Sequence, residues 1–154
     1  GRKTAPRKGV RTLRDPVASP MMNPPDPSFE YATLQLVPSA ASEDCLGVGV
    51  ILHARAAEYL DVRVAMEPEL WRVRLPGLDV AMVERALRDL VCVCRGGVAG
   101  GPIGLLPPGE RFHWLTAPRS AVIRPSEVRG GTCRDPRRTL ERLFVLLRES
   151  REVT

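Results

Sequence analysis

The period of the apolar residues is two in the first part of this chain and three to four from Val80 onward in its first expected helix, and that change restricts the fold more than any other feature. From Tyr31 to Val37 the residues alternate, with Ala32, Leu34 and Leu36 on one side and Tyr31, Thr33, Gln35 and Val37 on the other, until Pro38 stops the run. Residues 45–52, CLGVGVIL, hold too many β-branched residues and glycines for a helix. Their glycines point to close approach of another backbone. Residues 59–66 alternate again, with Leu60, Val62, Val64 and Met66 opposite Asp61 and Arg63. Strands two and three are expected to form a hairpin across residues 53–58.

The period then lengthens. Val80, Val83, Leu87, Leu90, Val91 and Cys94 recur at three- and four-residue spacing, with Asp79 in place as N-cap and Gly96-Gly97 as terminator. That is an amphipathic helix, with Glu84 and Arg88 paired on its wet face. A glycine- and proline-rich stretch, 96–109, leads to two short expected strands, 111–116 and 120–125. Asp135-Pro136 then opens a last helix, with Leu140, Leu143, Phe144 and Leu147 on one face. The expectation is an α+β domain, a largely antiparallel sheet with both helices packed on one of its faces. The domain should span residues 29–148, and residues 149–154 should fray.

Residues 1–28 read differently. Within residues 1–20, Arg2, Lys3, Arg7, Lys8, Arg11 and Arg14 stand against Asp15 alone, and Asn23 to Ser28 is proline-rich. This basic leader is expected to be disordered or non-native, with Met21 or Met22 as the start of the working protein. As a basic arm it could instead bind nucleic acid by counterion release. Residues 21–154 have 17 arginines against 17 acidic residues, which argues against a broad basic face on the domain. Neither an apolar signal core nor a run of about 20 apolar residues is present, so the expected location is the cytoplasm.

Cys45, Cys92, Cys94 and Cys133 are scattered, and the Cys-Val-Cys arrangement lacks zinc-site spacing. They are expected to be reduced, small apolar side chains, and with two histidines in the chain no metal or cofactor is called for.

The densest polar cluster lies at Glu110, Arg111, His113, Arg119 and Ser120. Arg111 and Arg119 with the Ser120 hydroxyl could form an anion cradle. Alternatively the arginines brace a loop against Glu110, while Phe112 and Trp114 pack in the core. In a strand, Arg111 and His113 share a face. His113 and Ser120 lack a third member for nucleophilic catalysis, and GPIGLLPPG lacks the Lys-Ser/Thr of a phosphate-binding loop.

Pro38, Glu43 followed by LGVGVIL, GPIG, ERFHWLTAPRS and the closing Cys133-Arg134-Asp135-Pro136 together resemble a bacterial family of small proteins defined as a domain of unknown function. The resemblance covers residues 29–148. Gly47, Gln35 and Arg129 depart from the family's Asn, Arg and His. Members are often encoded beside a kinase of the HipA type, so the resemblance implies a non-catalytic accessory or interaction protein that binds or regulates such a kinase. An enzyme or binding protein for a phosphorylated or anionic small molecule is the alternative, nucleic-acid binding through the leader is third, and self-association stays open.

Overall fold

The computed structural model describes residues 25–39 and 43–153. The expectations for the basic leader and for a start at Met21 or Met22 lie outside the described residues. The chain is α+β, built on an antiparallel five-stranded sheet. Strands β1 (Ser28–Leu36), β2 (Leu46–Ala54) and β3 (Tyr59–Val64) are followed by helices α1 (Pro68–Arg74), α2 (Val80–Arg95), α3 (Gly101–Gly104) and α4 (Pro108–Thr116). Strands β4 (Ile123–Pro125) and β5 (Arg129–Thr132) and helix α5 (Pro136–Val153) complete it.

The sheet runs β3-β2-β1, and β4 and β5 divide the far edge of β1 between them. Strand β4 pairs with Leu34–Leu36 and β5 with Ser28–Tyr31. Ser126 fills the gap: its hydroxyl accepts from the Thr33 amide (2.9 Å) and its amide donates to the Thr33 carbonyl (2.8 Å). Strands β2 and β3 form the expected hairpin, closed by a single 3-10 turn at Arg55–Ala57 and by Glu58 at φ 52°.

Every residue of β2 is buried, because the strand is covered on both faces. Ile51 joins Leu34, Leu36, Val62, Trp71, Val83, Leu87, Phe112 and Leu115 on the side of α1, α2 and α4. Val50, Leu52 and Ala54 join Phe29, Ala65, Leu140 and Phe144 on the side of α5. The α+β class and the antiparallel sheet are as expected, but the helix from Asp79 and the helix from Pro136 lie on opposite faces rather than one. The physical reason is β2 itself, whose uninterrupted apolar run requires cover on both sides. A bulge adjusts the facing along it. Leu34 pairs with Gly49 but Gln35 pairs with Gly47, leaving Val48 as the extra residue. At Gly49 an added Cβ would lie 2.9 Å from the Arg63 carbonyl, the backbone approach its glycine foretold.

Helix α2 forms as its caps dictate, with the Asp79 carboxylate accepting from the Met82 amide (3.2 Å) and Gly96 ending it at φ 82°. Helix α1 was not foreseen. Pro68 opens it, and it carries Trp71 into the core with no exposed surface. The last helix continues past Arg148, where fraying was expected. Glu67 takes hydrogen bonds from both Arg148 (3.1 Å) and Arg151 (2.9 Å), and Arg151 also donates to the Gly47 carbonyl (3.2 Å), which ties that end down.

Candidate functional site

Residues 108–116, expected to include a strand, form helix α4. Pro108 occupies its first position, and the Glu110 and Arg111 amides both donate to the Pro107 carbonyl (3.1 and 3.0 Å). Phe112 and Leu115, three apart, are the buried pair. Phe112 and Trp114 therefore do not share a buried face opposite Arg111 and His113. Trp114 is half-buried, and the tryptophan in the middle of the core is Trp71.

The helix separates the polar cluster. Arg111 turns inward: its guanidinium donates to the Leu106 carbonyl (2.6 Å) and the Cys94 carbonyl (3.4 Å) and lies over Gly96, joining α4 to the C-terminal end of α2. The Cys94 carbonyl is at the negative end of the α2 dipole, so the cation is well placed there. Its Nε is buried without a partner among the described residues. The Ser120 hydroxyl is likewise engaged, accepting from the Val122 (3.0 Å) and Ile123 (3.1 Å) amides to set the turn into β4.

Glu110, His113 and Arg119 remain together on the surface. With Trp114 and Leu106 they line a shallow hollow of about 490 Å³. The Arg119 guanidinium stacks 3.9 Å from the centre of the Trp114 ring. On the other side of that stack is a mostly apolar notch of about 230 Å³ between α2, α4 and β4, lined by Leu34, Leu90, Val93, Leu115 and Ile123. Close in sequence, Val98 and Leu105 in the segment leading to α4 are 85% and 67% exposed.

His53 is a second feature, hidden from sequence reasoning by its place at a strand end. It is buried, 9% exposed, with its ring 5.4 Å from that of Phe112 and Gly109 of α4 close by. Burial lowers its pKa below the ordinary 6.5. Glu30, its partner across the β1–β2 ladder, opposes that shift, while Arg55 and Arg111 reinforce it. Clefts of about 740 and 750 Å³ meet at this residue, and His113 and Glu30 line the first of them. No local motif announces the arrangement, because the chain pairs Glu30 with His53 only through strand register.

Among the described residues no group of three His, Cys, Asp or Glu is placed to hold a metal ion, and no helix is long and apolar enough to cross a membrane. All four cysteines are free. Burial pushes the Cys94 thiol up to about 12, so it is protonated and inert at neutral pH.

An antiparallel sheet covered on both faces makes this chain a small α+β domain, with an aromatic–arginine surface on α4. Its family is defined by sequence: the model described as "Protein of unknown function (DUF3037)" matches residues 31–147, and the chain belongs to that family. No curated protein and no solved structure matches the chain.

Proposed function

We propose that this is a non-catalytic accessory protein that binds a protein partner through α4 and the turn that follows it. The observation that carries the reading is the Trp114–Arg119 stack, exposed beside an apolar notch. Tryptophan and arginine are the residue types that most often anchor interfaces, and a small apolar pocket at their side accepts a partner's side chain. The hollow around them suits contact with a surface better than enclosure of a substrate. The anion-cradle alternative is weakened because Arg111 and Ser120 spend their hydrogen bonds inside the protein. The family resemblance nominates a HipA-type kinase as the partner.

The test is co-expression of the full chain with a HipA-type kinase encoded in the same genome, followed by pull-down with wild type, Arg119→Ala and Trp114→Ala. Arg119→Ala removes an exposed cation and should stay folded, at a cost of about 1 kcal/mol or less. A stoichiometric complex with wild type that is lost from the folded Arg119→Ala variant supports the reading. Equal recovery with both variants removes this surface, and no complex with wild type removes the kinase.

A further inference from the structure

On the opposite side of the sheet from α4, the first turns of α5 and the edge strand β3 bound a concave surface of about 710 Å³, lined by Arg63, Arg137, Arg138, Glu141 and Arg142. Four guanidinium groups meet one carboxylate there. Glu141 is paired with Arg63, whose guanidinium also lies 5.2 Å from the centre of the Phe144 ring. Among the described residues, Arg137, Arg138 and Arg142 have no carboxylate partner.

Folding does not call for this arrangement. Like charges in one concavity repel, and Arg137 and Arg138 sit in the first turn of α5, where the helix dipole disfavours cations. The Asp135 carboxylate accepts from the amides of both residues (3.1 and 3.4 Å), so the backbone there is already satisfied and the surface is presented by side chains. Several convergent guanidinium forks are what a phosphate-bearing ligand uses. The charge is also local, since residues 16–154 carry equal numbers of arginines and acidic residues. A compact polyanion fits that concentration better than a nucleic acid, which draws its affinity from many phosphates spread along an extended basic face.

We propose that the groove between β3 and α5 binds a small molecule carrying two or more linked phosphates, held by Arg137, Arg138 and Arg142, with Arg63 fixed by Glu141 and Phe144 as one wall. The site lies apart from the α4 surface and does not depend on how that surface is used.

Titration calorimetry on the full chain, with inorganic tripolyphosphate, pyrophosphate and orthophosphate at constant ionic strength, tests it. The basic leader can attract the same anions, so the deciding comparison is the double variant Arg138→Gln/Arg142→Gln, with Arg72→Gln on α1 as control. Wild type should bind tripolyphosphate about tenfold or more tightly than orthophosphate, and the double variant should lose about tenfold while the control loses nothing. Circular dichroism confirms that the double variant is folded. Equal tripolyphosphate binding by wild type and the double variant overturns the proposal. So does a 20-nucleotide single-stranded RNA that binds more tightly than tripolyphosphate and is weakened by the same two substitutions, because the occupant is then a nucleic acid.

Discussion

The two tryptophans separate this fold from the one that sequence spacing alone suggests. Trp71 has no exposed surface and touches the core between α1, α2 and the sheet, whereas Trp114 is half-buried under Arg119. Burying an indole removes about 200 Å² from water, which at about 25 cal/mol per Å² is about 5 kcal/mol. A compact unfolded chain lowers that figure, so Trp71→Ala should cost about 3–5 kcal/mol. Trp114→Ala gives up about half the area and one cation–π contact, about 2 kcal/mol. Trp71→Phe is milder, because the Trp71 Nε1 is buried with no partner among the described residues and the substitution removes an unsatisfied donor along with the second ring. Urea unfolding followed by circular dichroism measures the costs, with an unchanged m-value confirming a two-state comparison. A domain with about 5–15 kcal/mol to lose can be unfolded outright by Trp71→Ala, so fluorescence supplies a second readout. In Trp114→Phe the remaining indole should emit at short wavelength and resist acrylamide. In Trp71→Phe the remaining indole should be quenched readily. Equal quenching of the two, or a larger loss from Trp114→Ala than from Trp71→Ala, would refute the placement of both α1 and α4.

Two further outcomes follow from buried polar groups. Arg111→Ala should destabilise the protein by about 2 kcal/mol in the same urea assay, because it strips the Leu106 and Cys94 carbonyls of a charged donor, and an unchanged midpoint would mean that Arg111 is not a brace. His53 should make stability depend on pH: with its pKa lowered by burial, the unfolded chain takes up the proton first, so stability is full above about pH 6.5 and declines as pH falls through that value toward the folded pKa. The groups facing it are Glu30, Arg55 and Arg111, so the slope of stability between pH 7.5 and 5 in wild type is compared with that of His53→Phe, which should flatten it.

The parts of this fold that could be read from sequence are those where one local rule acts alone. Helix α2 has an acidic N-cap, a single period and a glycine stop, and each agrees with the others. The hairpin of β2 and β3 was equally plain. Residues 111–116 failed because Phe112, Trp114 and Leu115 satisfy two periods at once, with alternation giving Phe112 and Trp114 and helical spacing giving Phe112 and Leu115. Pro108 at a first helical position was the signal that should have decided it. Helix α1 packs only Leu70 and Trp71 inward, with Leu75 just past its end and Val73 exposed, over less than two turns, too short for a period to show, although Pro68 again marks its start. The facing of α5 could have been taken from β2, whose apolar run has no wet side.

The error at α4 altered the chemistry as well as the geometry. In a strand Arg111 and His113 would project together, and with Arg119 they would make a cradle for an anion. In a helix two positions apart means about 200° around the axis, so Arg111 goes to the end of α2 while His113 stays in solvent. What survives of the cluster is Glu110, His113 and Arg119 around Trp114, the surface proposed for partner contact. The anion site proposed above lies elsewhere in the molecule. Equal numbers of arginines and acidic residues over residues 16–154 argue against a broad basic face, but an average over those 139 positions hides Arg137, Arg138 and Arg142 within six. On a helix 138 and 142 fall one turn apart, and the β2–β3 hairpin brings Arg63 beside them from 75 residues away. The local excess was thus partly readable in α5 alone, and its fourth member could be supplied only by the fold.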